Sequence, residues 1–255
     1  MPLTVAEKRA AFRALHASGC FVLPNPWDIG GMRRLEKLGF QALASTSAGI
    51  AWSLGRADNE LPRDVVLDHL RTLCAATDLP VNADFEDGFA VAPDEVAANV
   101  KLAIDAGVAG LSIEDRDGNG LHSLPLAAAR IRSSRAAIDA AGPDAMLVAR
   151  CEGFLLGQPD LDATIARLVA YADAGADVLY APGVTDPAAI ARIVRAVAPN
   201  PVNVLLMNPR MRVADLAAIG VRRVSTGGAL AAAAWRGFDA AARQLLDDGT
   251  LPPRG

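Results

Sequence analysis

The chain has 255 residues, a formal net charge of −4 and an apolar fraction of 52%, enough for one large core and too acidic to offer nucleic acid or anionic membrane a cluster of Lys and Arg. No apolar run approaches the ~18 residues of a membrane span, and the N-terminal MPLTVAEKRAAFRAL reads as a charged amphipathic helix without a signal core. Three unevenly spaced cysteines, Cys20, Cys74 and Cys151, make neither a disulfide framework nor a zinc pattern and suit a reducing cytoplasm.

In chain order, short apolar runs alternate with longer helical stretches. Strands are expected near Cys20–Leu23, Ala42–Thr46, Pro80–Asp84, Gly110–Ile113, Met146–Ala149, Val178–Tyr180, Val202–Leu206 and Arg223–Ser225. Ala-, Leu- and Arg-rich stretches between them predict helices, among them Asp94–Ala106, Pro125–Ala141, Asp160–Ala174, Pro187–Ala198 and Val213–Ile219. Several start after Pro or Asp and stop at Gly107, Gly175 or Gly220, as helix starts and stops do. Repeated strand–helix units argue for parallel strands with crossover helices. Eight of them in this length favour an α/β (β/α)₈ TIM-type barrel, 1–255 as one domain, behind an N-terminal helix. Only the LPPRG tail reads as frayed.

Active sites of such barrels lie at the C-terminal strand ends. The polar residues expected there are Asn25, Trp27, Ser45, Thr46, Ser47, Asp84, Glu86, Glu114, Arg150, Glu152, Tyr180, Asn203, Asn208 and Thr226. Asp84 and Glu86 in VNADFEDG share a side if the strand continues, and Glu114 in GLSIED lies one strand away. These three either cap helices and pair with rim arginines, or gather around a hard cation, Mg²⁺ or Mn²⁺, for which oxygen ligands are suited. In the metal reading Asp84 touches the ion and the others hold its waters. Asp58 in GRADNE joins only if its loop folds inward.

Arg150 ends the buried run AMLVAR. It either neutralises Glu86 or Glu152, or grips a substrate carboxylate with its planar fork. Ser45–Gly49 reads as ordinary loop chemistry or as a nest of N–H groups for an anion, and Thr226-Gly227-Gly228 as a weaker second nest. His122 is a candidate acid or base against the plainer reading of a solvated loop histidine. Cys151 is read as inert, and His16 and His69 as helix-surface residues.

With those residues in hand, the sequence resembles the isocitrate lyase/phosphoenolpyruvate mutase superfamily. LPNPWD, ASTSAGIAWSLGRADNE, VNADFEDGFA, GLSIEDRDG, LVARCEGFL, YADAGADVLYAPG and GVRRVSTGGAL each look like a family block in order. The resemblance implies a (β/α)₈ barrel, a homo-oligomer (dimer or tetramer) whose final helix swaps between neighbours, and Mg²⁺-dependent 2-oxo-acid or enolpyruvate chemistry. It also implies Asp84 as the direct metal ligand, Asp58, Glu86 and Glu114 as water-holding carboxylates, Arg150 as the substrate-carboxylate arginine, and Thr46-Ser47 in place of a Ser-Gly substrate loop. Two departures stand out. Where the lyases carry a Lys-Lys-Cys-Gly-His-type loop, this chain has the short DRDGNGLHSLP, without Cys or Lys. Where the mutases carry a longer gating loop, it offers Asp117 and Asn119 but no Lys.

The expected activity is therefore a Mg²⁺- or Mn²⁺-dependent lyase or decarboxylase acting on a small 2-oxo or 2-hydroxy dicarboxylate through a pyruvate enolate. Arg150, Glu114 and His122 are read as catalytic, and Trp27, Thr46, Ser47, Arg150 and Asn203 as substrate-binding. A C–P mutase or hydrolase acting on phosphonopyruvate or phosphoenolpyruvate is the alternative within enzymes. A 2-oxo-acid binding protein without turnover is the alternative outside them.

Overall fold

The N-terminal helix is made by its caps. Thr4 and Glu7 close a reciprocal capping box, which satisfies two otherwise orphaned N–H groups and starts α1 (Val5–Ala17). The computed structural model describes residues 2–118, 120–141 and 144–253, so Asn119 of the short loop and the last two residues of the LPPRG tail lie outside the described residues. After α1 come β1 (Phe21–Leu23), α2 (Ile29–Lys37), β2 (Leu43–Ala44), α3 (Ser47–Ser53), α4 (Arg63–Ala76), β3 (Val81–Asp84) and α5 (Pro93–Asp105). The chain continues through β4 (Gly110–Glu114), a hairpin of β5 (Arg116–Asp117) and β6 (Gly120–Leu121), α6 (Leu124–Ala141), β7 (Met146–Arg150) and α7 (Leu161–Asp173). It ends with β8 (Val178–Tyr180), α8 (Pro187–Ala196), β9 (Val202–Leu205), α9 (Val213–Ala218), β10 (Arg223–Ser225) and α10 (Ala229–Asp248).

Eight parallel strands form one sheet in the order β1-β10-β9-β8-β7-β4-β3-β2. A bond from Ala44 N–H to the Pro24 carbonyl (3.0 Å) draws its two edges together. All eight expected strands are present, and the fold is the (β/α)₈ barrel.

Alternation along each strand sorts the side chains into two cores. Leu43, Val81, Leu111, Ile113, Leu147, Leu179, Val204 and Val224 face outward and pack under the helices. Phe21, Leu23, Ala44, Met146, Val148 and Val178 face inward and meet Phe12 of α1. Helix α1 thus plugs the N-terminal end of the barrel. Lys8 Nζ donates to the Cys74 and Thr77 carbonyls, and the Arg9 guanidinium to those of Val108 and Ile104. Gly110 makes room for the plug, since a Cβ there would come within 2.9 Å of the Met146 carbonyl and 3.0 Å of Phe12 Cε1.

His16 departs from its expected surface place. It is buried edge-on to Phe12 and Phe21, ring centroids 4.7 and 4.9 Å away, and burial pushes it down to about 3, Arg223 and Arg13 adding to the shift despite its bond to the Phe12 carbonyl. His69 is half-buried, its acceptor the Trp27 carbonyl.

Candidate active site

The strand register sets the site. Glu114 of β4 lies beside Arg150 of β7, Arg150 beside Tyr180 of β8, Tyr180 beside Asn203 of β9, and Asn203 beside Arg223 of β10. All five lie on the inward face of their strands, and all five line one cavity of about 250 Å³ with Asp58, Asp84 and Ser47.

Arg150 is the hub. Its Nη1 donates to Asp84 Oδ1 (2.8 Å) and Glu114 Oε1 (3.0 Å), and its Nε to Glu152 Oε1 (2.9 Å). Its guanidinium carbon lies 5.1 Å from the centroid of the Tyr180 ring, a cation–π contact that steadies the charge. Of the two neutralising partners expected, Glu152 is met; Glu86 is replaced by Asp84 and Glu114. Arg116, on the hairpin that stands in place of the longer family loop, donates from Nε to Glu114 Oε2 (2.9 Å).

Asp84 is held from both sides. Ser47 donates to Oδ2 through its N–H (3.0 Å) and its hydroxyl (3.1 Å), while the Asp84 N–H donates to Ser45 Oγ (2.8 Å). Within the Ser45–Gly49 run, Thr46 caps α3 by accepting from the Gly49 N–H and Ser47 bonds Asp84, while Thr46, Ser47 and Ala48 line the cavity. Gly49 is required by close approach, because a Cβ would lie 2.7 Å from Thr46 Cγ2 and 2.9 Å from Trp27 Cβ. The second expected nest is filled in part, and Gly227 and Gly228 line the cavity. Asn25 Oδ1 accepts from the N–H groups of Thr226 and Gly227 (3.0 and 2.9 Å).

Asp58 stays exposed on its loop, which brings it to the cavity lining and to the Ser47 hydroxyl. Glu86 is 5% exposed and faces an adjoining cavity it shares with Asn59, Arg63 and Arg116. Its turn is unusual: Glu86, Gly88 and Phe89 all have positive φ, +49°, +78° and +57°. For non-glycine residues that conformation costs energy and persists only when the surroundings enforce it. Arg130 of α6 is the enforcing group. Fully buried, it donates to the carbonyls of Asp87, Ala90 (3.0 Å) and Glu114 (3.2 Å).

Asp58, Asp84, Glu86, Glu114 and Glu152 thus crowd one mouth with two guanidinium groups, Arg116 and Arg150. The shortfall falls on Glu86, which has no ion pair among the described residues. Burial, then Asp84 and Glu114, push it up to about 8. Burial raises Glu114 as well, with Arg150 opposing. In the observed rotamers no three Asp, Glu, His or Cys of the described residues converge as a ligand set, since the Arg150 guanidinium lies between Asp84 and Glu114. The chemistry of the donors still fits a hard divalent cation: they are all oxygens, they carry excess negative charge, and Asp84 Oδ1, which accepts from Arg150 alone, keeps a free lone pair.

Other expected site residues lie elsewhere. Trp27 packs partly buried against the helix-side core and does not line the cavity. Asn203 does line it, but its side chain is engaged by Ser225 and Arg223. His122 is buried, not solvated, and its carbonyl accepts from Arg167 (2.9 Å); it too is off the cavity lining. Asn208 borders a separate groove beyond α8. Cys151 is buried, and burial pushes its thiol up to about 12, as an inert cysteine requires. Sequence reading missed Asp115, which ties the site to its support by accepting from the Glu152 N–H, Tyr171 Oη and Arg167. It also missed Arg130 and Arg223. A strand period of two put one arginine of GVRRVST inside the barrel, which was the available signal for the last.

Comparison with known proteins agrees with the geometry. The sequence model of the family described as phosphoenolpyruvate phosphomutase matches residues 12–246. An uncharacterized protein of Mycobacterium tuberculosis (strain H37Rv) is 36% identical over 244 residues, 95% of this chain and 91% of its own length. The oxaloacetate decarboxylase of Pseudomonas paraeruginosa (strain PA7) is 32% identical over 231 residues, 87% of this chain and 79% of its own. The solved structure of a candidate lyase/mutase from Burkholderia cenocepacia J2315 superposes with a TM-score of 0.94 at 50% identity, covering 97% of this chain and 91% of that one.

Proposed function

The chain belongs to the phosphoenolpyruvate phosphomutase family, within the isocitrate lyase/phosphoenolpyruvate mutase superfamily, and from that membership we propose that it is a divalent-metal-dependent lyase or decarboxylase of a small 2-oxo or 2-hydroxy dicarboxylate. The observation that carries this reading is the surplus of carboxylates at the barrel mouth, four of them arranged around an Asp84 whose orientation is fixed by Ser47, Ser45 and Arg150. The similarity to an oxaloacetate decarboxylase across 87% of the chain supports it.

Asp84, with Asp58, Glu86 and Glu114 around it, would hold Mg²⁺ or Mn²⁺, which supplies Lewis-acid stabilisation of charge developing on a 2-oxo oxygen. Arg150 orients the substrate's first carboxylate, its guanidinium pre-set by three carboxylates and the Tyr180 ring, so little freedom is lost on binding. Scission of the C–C bond to the leaving carboxylate sends its electron pair into the enolate and releases CO₂. No base is required for that step. The enolate carbon then takes a proton from water, since His122 does not reach the cavity and the lyase cysteine has no counterpart. Glu114 and Glu152 act by holding Arg150, and Asp115 and Arg130 by holding them.

The C–P alternative draws on one observation, the hairpin that carries the cation Arg116 to the mouth. The two are separated by incubating the protein and Mg²⁺ with oxaloacetate, 2-methylisocitrate, isocitrate and phosphonopyruvate in turn. Pyruvate without phosphate supports the C–C reading; phosphate from phosphonopyruvate overturns it in favour of C–P cleavage. We also propose a cytoplasmic homo-oligomer that uses the whole chain as one unit. Helix α10 leaves the barrel with Trp235, Phe238, Leu245 and Leu246 exposed, a face that suits a swapped helix. No helix among the described residues is long and apolar enough to cross a membrane.

A further inference from the structure

Arg223 is a large charge in the barrel that the chemistry above leaves unused. It stands on β10 with 2% of its surface exposed and lines the floor of the mouth cavity. Its Nε donates to Asn203 Oδ1 (2.9 Å). Its Nη1 is buried and has no hydrogen-bond partner among the described residues. The titratable groups acting on it are Tyr180, Arg150 and His16, none an anion at neutral pH. Burial pushes Arg223 down to about 9, so it is still a cation at pH 7.

An unpaired buried ion costs several kcal/mol, and an apolar residue of like volume in its place is often the more stable choice. Natural chains break that rule mainly at functional sites. Here the charge is also placed with a sense of direction. The mouth is ringed by Asp58, Asp84 and Glu114, whereas the floor holds a guanidinium with an unpaired donor. The cavity between them, about 250 Å³, is several times the ~30 Å³ share of one water. Asn203, Ser225 and Tyr180 link floor to mouth: Asn203 Nδ2 donates to Ser225 Oγ (2.9 Å), Ser225 bonds the Tyr180 hydroxyl, and the Tyr180 ring carries Arg150.

We propose that Arg223 is an anion subsite on the cavity floor and takes the distal carboxylate of the substrate, which makes it the residue that selects dicarboxylates over monocarboxylates. This rests on the reading of the mouth as the site of the 2-oxo or 2-hydroxy acid head. The competing occupant is water, drawn to Asn82 Oδ1, which also lacks a partner.

Two measurements test it. Crystals of the wild type and of Arg223→Met are soaked in bromide. Anomalous density within hydrogen-bond reach of the Arg223 guanidinium in the wild type alone is expected; water there in the wild type overturns the anion subsite, whatever the protein's reaction. Calorimetry with Mg²⁺ then compares malate with 2-hydroxybutyrate, 2-oxoglutarate with 2-oxovalerate, and oxalate as a head-only probe. At least one dianion is expected to bind tenfold or more tightly than its matched monoanion. Arg223→Met should reduce that ratio to about twofold and leave oxalate affinity as it was, and Arg223→Lys should restore part of it. A ratio that survives Arg223→Met overturns the proposal while leaving the mouth assignment intact. Oxalate that binds no more weakly to Asp84→Ala than to wild type overturns the mouth assignment instead, and the bromide result alone then decides the anion subsite.

Discussion

Replacing Arg150 by Met keeps the bulk of the side chain and removes the charge on which the mouth depends. Three carboxylates lose a partner at 2.8, 3.0 and 2.9 Å. They do not lose equally: Asp84 keeps both Ser47 donors, Glu114 keeps Arg116, and Glu152, with a side chain 2% exposed, loses its ion pair outright. Breaking a buried pair by deleting one member costs about 3–5 kcal/mol, because the other charge stays buried, and that is the loss expected here. The assay is urea unfolding of both proteins without divalent cation, comparing midpoints at equal slope. Adding Mg²⁺ should then stabilise Arg150→Met more than the wild type. A cation at 100 times its Kd contributes about 2.7 kcal/mol, and it would now meet carboxylates that no guanidinium screens. A variant within about 1 kcal/mol of wild type, well under the buried-pair cost, would refute the placing of Arg150 at the centre of the cluster.

Three further outcomes follow from the same geometry. Arg130→Met orphans buried carbonyls of Asp87, Ala90 and Glu114; charge-assisted bonds of this kind contribute about 1.5–3 kcal/mol each, so Tm should fall by roughly 10 °C in a chain this long, and an unchanged Tm contradicts the clamp. His16 is held at about 3 when folded against 6.5 otherwise, so between those values the unfolded chain binds the extra proton. Its contribution is therefore complete above pH 6.5 and declines as pH falls, by about 2 kcal/mol at pH 5; His16→Gln should lose that part of the slope in urea titrations at pH 7 and 5, and equal slopes would count against the buried ring. Cys74 and Cys151 are buried with thiols pushed up to about 12, while Cys20 is only half-buried. Iodoacetamide on the native protein should label Cys20 alone, and labelling of Cys151 would contradict its inert placing.

The barrel was legible because its signal is periodic. Each strand is an apolar run closed by a polar residue, and the helix stops at Gly107, Gly175 and Gly220 carry the positive φ that glycine tolerates. Helices without that contrast were not read. Gly30 and Gly31 obscure α2 despite its Asp28 cap, and α3 begins in a run of small residues; α10, which buries only Ala231 and so shows no core face, was expected from the family resemblance alone. Among site residues, the carboxylates and Arg150 lay at strand ends where charge is conspicuous. Lys8, Arg9 and His16 did not look buried, because only the docking of α1 on the barrel floor buries them. Asp115 sits one position beyond Glu114 and turns outward, so its role depends on Arg167 and Tyr171 from α7, which no local pattern announces. His122 and Trp27 were plausible by residue type, and tertiary packing took both away from the cavity.

The most direct test of the carboxylate-and-cation site is an NMR time course of oxaloacetate with Mg²⁺, comparing wild type, Asp84→Ala, wild type with EDTA and a blank for spontaneous decay. Asp84 is held by Ser47 and Arg150 independently of any cation, so the variant tests the ligand and EDTA tests the ion. Pyruvate formed above the blank by wild type with Mg²⁺ alone is the predicted result; the same rate from Asp84→Ala, or from wild type in EDTA, would contradict it.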